Sequence, residues 1–174
     1  MTNFSDLVKK RRSIRKFTDE KIQPEHVELI LKAGLMSPTS KNSHSWHFIA
    51  VEDKEKLEAL SKCKNTGKLI AGSTLSIIVA GDPLTSDVWV EDCSIAAIMM
   101  QLQAEDLNIG SCWVQVRGRE TDNGGSSEEY VKDLFDLPMQ LQILAIIAFG
   151  HKEKEKSPQD ESKLLWENVH IEKF

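Results

Sequence analysis

The spacing of apolar and polar positions changes several times along the chain, and each change predicts an element. Ser5-Asp6 can cap a short helix ending at Lys10, and Pro24 opens a second helix whose Val27, Ile30, Leu31, Gly34 and Leu35 keep one face apolar. Pro38 biases Ser37 away from helix, so residues 34–43 read as a helix end followed by a polar loop. A short strand is predicted at 47–51 and a charged amphipathic helix at 54–61, behind an Asp53 cap. Residues 74–80, closed by Gly81-Asp82-Pro83, form a β-branched run without alternation, the pattern of a central strand covered on both faces. Ile95, Ala96, Met99, Met100, Leu102 and Leu107 place a core helix at 92–107, with Asp92 as its N-cap and Gly110 as its stop. Two further strands at 111–116 and 141–149 are separated by a loop at 121–126 and a helix near 128–135. After Gly150 the chain turns polar, and apolar character returns in Leu164, Leu165, Trp166, Val169, Ile171 and Phe174, a tail that needs a surface to cover.

A length of 174 residues with 40% hydrophobic content fits one domain, 1–174, around one core. Three cysteines with no C-x-x-C pair offer neither a disulfide framework nor a four-cysteine zinc site, so reduced thiols and a cytoplasmic location are expected. His44 and His47 have no further ligand pair, and no metal is expected. The longest apolar run, 143–149, falls far short of the roughly 20 residues that span a bilayer, and the polar, then basic N-terminus does not read as a signal peptide. No membrane partner is expected.

Charge is distributed unevenly. Residues 1–16 hold six Lys/Arg against one Asp, leaving 16 of the 22 basic and 26 of the 27 acidic residues to the rest of the chain. A knot of +5 therefore sits on a body of −10. Such a body would not be drawn to a long polyanion, whose binding needs many phosphate contacts across an extended face, so no nucleic acid is expected. A small phosphate-bearing ligand fits better. Arg11, Arg12, Ser13 and Arg15 supply guanidinium forks and a hydroxyl within five residues, suited to charge-assisted contacts with a phosphomonoester. At an effective dielectric of about 20, one close cation–anion pair attracts by roughly 4 kcal/mol before desolvation is subtracted. By itself the run also fits a solvated helix end or a nucleic-acid arm. The loop from Pro38 to Phe48 carries hydroxyls and an amide able to bond a heteroaromatic edge, and equally fits an ordinary polar turn.

Four ordered segments resemble the FMN-dependent nitroreductase family: Arg11-Arg12-Ser13-Ile14-Arg15-Lys16-Phe17, Ser37-Pro38-Thr39-Ser40-x-Asn42-Ser43-x-x-Trp46-His47-Phe48, Gly110-Ser111-Cys112-Trp113 and Phe149-Gly150-His151-Lys152. The resemblance implies an α+β fold with a central mixed sheet flanked by helices. It further implies an intertwined homodimer with FMN at the subunit interface and the 151–174 tail over the partner. Arg11, Arg12, Ser13 and Arg15 would grip the FMN phosphate and flavin edge, and Pro38, Thr39, Ser40 and Asn42 would lie along the partner's flavin. Asn65 and Lys68 would stand near the pyrimidine end, where a cation stabilises reduced flavin. Cys112 and Trp113 would sit against the flavin face, although Cys112 read alone is a buried structural thiol. Lys152, Lys154 or Lys156 would complete the phosphate site. The implied reaction is ping-pong: NADH or NADPH gives a hydride to FMN, and a small oxidant such as a nitroaromatic or quinone then takes the electrons. The same fold and cofactor would also suit a reductive dehalogenation or a biosynthetic oxidation. No catalytic side chain is expected. Two positions depart from the family's pattern: His44-Ser45 replaces the usual Gln-Pro, and Gly150-His151-Lys152 replaces Gly-x-Pro.

Overall fold

The computed structural model describes residues 3–174; Met1 and Thr2, the start of the expected 1–174 domain, lie outside the described residues. Helix α1 (Phe4–Lys10) is capped by Asn3, whose side chain accepts the Ser5 amide, rather than by Ser5-Asp6. Helix α2 (Pro24–Leu35) begins at the expected proline and buries Ile30, Ala33 and Gly34. Strand β1 (Trp46–Val51) and helix α3 (Lys54–Leu60) follow, and the Asp53 carboxylate caps α3 by accepting the Lys56 amide. The remaining elements are β2 (Leu75–Gly81), α4 (Trp89–Asp106), β3 (Ile109–Gln115), α5 (Ser127–Leu134) and β4 (Gln142–His151).

The four strands form one sheet in the order β1-β2-β4-β3, and every neighbouring pair is antiparallel. The parallel component expected of a mixed sheet is reduced among the described residues to a single bridge, Ser13 to Ser111. As its unalternating sequence predicts, β2 is central and buried along its whole length.

Strand alternation splits the core into two layers. Leu75, Ile77 and Val79 of β2 and Ala145, Ile147 and Phe149 of β4 face α2 and α4, where Ile30, Cys93, Ala97 and Met100 pack. Ile78 and Ala80 of β2 and Ile143, Ile146 and Ala148 of β4 face α3 and α5, where Leu57, Leu60 and Val131 pack. A bulge between Val79 and Ala80 shifts the β2–β4 register.

Helix α4 starts three residues earlier than predicted, at Trp89, and Asp92 is not its cap. Its C-terminal turn is closed by Asn108 at φ 59°, and Gly110 lies inside β3 instead of stopping the helix. Glycine is needed at 110 for close approach: a Cβ there would come within 3.0 Å of Ile14 and 2.9 Å of Lys152. Ile95, Ile98 and Met99 remain substantially exposed on α4, so this helix is apolar on faces that the fold leaves uncovered. Beyond Lys152 the tail is exposed throughout, with Trp166 at 69% and Ile171 at 84%.

Candidate functional site

The basic segment runs along the free edge of β3 and past the end of β4. The Ile14 amide donates to the Ser111 carbonyl at 2.9 Å and the Thr18 amide to the His151 carbonyl at 2.9 Å, so residues 13–18 span from β3 to the end of β4. The tail returns alongside. The Glu153 amide donates to the Lys16 carbonyl, the Lys156 ammonium donates to the Ser13 carbonyl at 2.9 Å, and Arg12 donates to the carbonyl of Ser157. A cavity of about 570 Å³ lies between these strips, lined by Arg15 and Lys16 on one side and by Glu153, Lys154, Glu155 and Lys156 on the other, so its four cations outnumber its two carboxylates.

Cys112 records the resulting electrostatics. Burial pushes its thiol up, while the charges of Arg15, Lys156 and Arg11 and a hydrogen bond with Ser13 act in the opposite direction. Arg15 and Lys156, far apart in the chain, both donate to the Ser13 carbonyl, at 3.4 and 2.9 Å, where Ser13 bridges Ser111 of β3. The donor set suits a phosphomonoester, which carries about −1.5 to −2 charge near neutrality.

Lys152, expected as one way to complete the phosphate site, does not join these cations, and Trp113, expected beside Cys112 against the flavin face, does not share its face of β3. Lys152 follows the β4 register, which carries its side chain over the end of α4. There its ammonium meets Glu105 at 2.8 Å, Asn108 at 3.3 Å and Glu155 at 3.2 Å, with both Lys152 and Glu105 side chains nearly buried. Trp113 points to the opposite face of β3 from Cys112, packing against the α4 layer and donating its indole N–H to Gln115. Alternation along a strand allows only one of these two neighbours to face the cations.

The second half of the site is the 38–45 loop. Ser40–Asn42 make a single 3-10 turn, and Lys41 (φ 52°), Asn42 (φ 55°) and His44 (φ 48°) all sit in the left-handed region. That conformation is easy for asparagine but costs roughly 1 kcal/mol or more for lysine and histidine. The Thr39 hydroxyl accepts the His44 amide, while Pro38 and Asn42 point outward and are exposed. Asp92, 2% exposed on the first turns of α4, gathers the loop. Its Oδ1 accepts the Ser40 amide at 2.8 Å, and its Oδ2 accepts hydroxyls from Ser43 (3.3 Å), Ser45 (3.3 Å) and Ser86 (3.1 Å). The cap reading missed this role, although closely spaced hydroxyls at 43 and 45 were a signal for it. Beside the loop, His44 and Phe48 flank Trp46, whose ring stacks on Phe48 at 5.2 Å.

Asn65 and Lys68 fall on a 3-10 turn (Asn65–Leu69) and share a separate cavity of about 660 Å³ with Lys62, Lys64, Asp122 and Tyr130. Lys62 and Lys64 are neighbours that the two-residue match did not reveal. Cys63, beneath them, is fully buried with its thiol pushed up to about 11 by desolvation.

The nitroreductase family profile matches residues 8–82 and 65–151. The chain belongs to the nitroreductase family. An FMN-dependent nitroreductase from Clostridium difficile superposes with a TM-score of 0.94 at 40% identity, over 97% of this chain and 98% of that one. A protein of Archaeoglobus fulgidus, described as a candidate NADH dehydrogenase/NAD(P)H nitroreductase, is 32% identical over 169 residues, 94% of each chain. A candidate nitroreductase from Desulfovibrio desulfuricans, solved in complex with FMN, superposes with a TM-score of 0.79 at 25% identity, over 100% of this chain and 99% of that one. The nitroreductase motifs therefore lie on the expected fold, with cations gathered at one end of β3 and the polar loop at the start of α4.

Proposed function

We propose that this protein is an FMN-dependent NAD(P)H oxidoreductase that acts as a cytoplasmic homodimer on small electrophiles such as nitroaromatics or quinones. The observation that carries the reading is that Arg15 and Lys156 both donate to the Ser13 carbonyl, at 3.4 and 2.9 Å, beside a cavity that Lys16 and Lys154 also line and whose cations outnumber its carboxylates, Glu153 and Glu155. That donor set suits the phosphate end of FMN. FMN held there would supply the two-electron chemistry that links a reduced nicotinamide to an oxidant. The protein's own part is to bind and to orient. Arg11, Arg12, Ser13 and Arg15 hold the anion together with Lys154 and Lys156, and Lys68 with Asn65 serves the pyrimidine end. Pro38, Thr39, Ser40 and Asn42 line the ring from the second subunit. A site shared by both small molecules makes them bind in turn, and no side chain is required as acid or base.

Dimerisation is supported by apolar surface without a cover. Ile95, Ile98 and Met99 on α4 and Leu165, Trp166 and Ile171 on the tail are large apolar side chains left exposed, the kind of surface that a partner subunit covers. Three unpaired thiols support a reducing compartment.

The reading is tested by adding NADH or NADPH anaerobically to the FMN-loaded protein and following the visible flavin absorbance. Bleaching by at least one nicotinamide and recovery on adding a quinone or nitroaromatic are expected. A bound flavin inert to both nicotinamides would contradict the reaction and favour a dehalogenation or biosynthetic oxidation. A protein that takes no FMN yet binds nucleic acid in a salt-sensitive way would instead favour the N-terminal arm.

A further inference from the structure

We infer that Asp92 is the positioning residue of the flavin-facing loop, holding residues 39–45 in the strained conformation that flavin binding needs. This inference rests on the FMN reading above. Four observations carry it. Asp92 is a carboxylate with 2% exposure, and a charge so far from water persists only where polar partners replace its hydration. Its partners are one backbone amide and three hydroxyls, with no cation among them. Three of those four donors, Ser40, Ser43 and Ser45, belong to the loop, whereas Ser86 comes from the segment before α4. Three of the five residues 40–44 hold positive φ without being glycine.

The positive-φ residues alternate with the anchored ones in a telling way. Ser40 and Ser43 bracket Lys41 and Asn42, and Ser43 and Ser45 bracket His44. Each left-handed residue is therefore pinned on both sides by a bond to the same carboxylate. Ser45 also replaces the proline usual at this place in the family's pattern. Proline has no side-chain donor, so the Ser45 hydroxyl is an anchor gained where the rigidity of a ring is lost. Without the carboxylate, the loop would relax toward ordinary backbone geometry and populate its binding form only part of the time. A binding form populated at a fraction f raises the apparent dissociation constant by 1/f.

Asp92→Asn keeps the volume and one acceptor oxygen but loses the charge and places an NH₂ against hydroxyl donors. Two readouts on parent and variant decide the matter: amide exchange of Ser40 in the flavin-free protein, and the FMN dissociation constant by fluorescence titration. The expected result is faster exchange confined to 39–45 and FMN binding weaker by about tenfold or more, as loss of a charge-assisted bond implies. Ser45→Ala, which leaves no charge without a partner of its own, should move both readouts the same way by a few-fold, and it serves if Asp92→Asn does not fold. Parent-like exchange, or faster exchange with unchanged FMN affinity, would overturn the inference. If the parent itself takes no FMN, the functional reading fails separately, and unaltered Ser40 exchange would then dismiss Asp92 as the loop's anchor.

Discussion

The two ends of α4 each present a carboxylate that fastens one half of the candidate site, and they do so in opposite ways. At the N-terminal end Asp92 collects neutral donors and holds the 38–45 loop. At the C-terminal end Glu105 meets the Lys152 ammonium at 2.8 Å and holds the first turn of the tail beside the cationic cavity. Both fastenings involve a position where this chain departs from its family's pattern, Ser45 at one end and Lys152 at the other. Each replaces proline, a residue that shapes the backbone by covalent constraint, with a side chain that reaches α4. The lesson is that a side-chain bond to α4 can stand at a place where the family's pattern relies on the rigidity of a proline ring.

The C-terminal fastening is an ion pair with nearly buried side chains, so its removal should cost most. Glu105→Ala leaves the Lys152 ammonium with the more exposed Glu155 at 3.2 Å and the Asn108 side-chain oxygen at 3.3 Å, and should lower the unfolding free energy by about 3 kcal/mol. Urea titration measures this. Adding Lys152→Met should restore most of the loss; no restoration would mean that the pair is not what Glu105 contributes.

Arg15 is exposed and takes little part in the core, so it separates ligand binding from folding. Arg15→Ala should weaken FMN binding by about tenfold to a hundredfold, or roughly 1.5–3 kcal/mol, with the thermal midpoint nearly unchanged. Equal flavin affinity in variant and parent would remove Arg15 from the cationic half.

Alkaline pH probes the core next to the N-terminal fastening. Cys93 adjoins Asp92, and burial first, then the Asp92 charge, push its thiol up from 9.0 to about 12. The folded state thus keeps a proton that the unfolded state releases. Stability from this group is complete below pH 9.0 and is lost as pH rises toward about 12, with Cys63 contributing similarly up to about 11. Cys93→Ala should flatten the decline in urea midpoint across that window, and an unchanged slope would exclude Cys93 as its source.

The smallest effect is expected at Ser86, which bonds Asp92 but lies outside the loop. Ser86→Ala should cost about 1 kcal/mol of stability while leaving Ser40 exchange near the parent's.

The sequence made most elements legible because their signals are local. Pro24 at the start of α2, Asp53 capping α3 and the unalternating run of β2 each declare themselves within a few residues. The basic cluster was legible too, since Arg11, Arg12 and Arg15 fall within five residues. What could not be read were choices made by tertiary register. Lys152 pairs with Glu105 rather than joining Arg15 and Lys156 because β4 delivers it over the end of α4, and Trp113 turns away from Cys112 because strands alternate. Asp92 resembled a cap because it lies near the start of a helix, yet α4 begins at Trp89 and frees the carboxylate for the loop. Asn108 likewise took the left-handed closing position that Gly110 was expected to fill, leaving the glycine to admit Ile14.

FMN binding by the cavity at Arg15 and Lys156 together with the Asp92-held loop is tested most directly by the visible absorption spectrum of the purified protein, followed by chromatography of the cofactor released on heating. A flavin spectrum and close to one FMN per chain are expected, either as purified or after addition of FMN. A colourless protein that takes up no added FMN would contradict it.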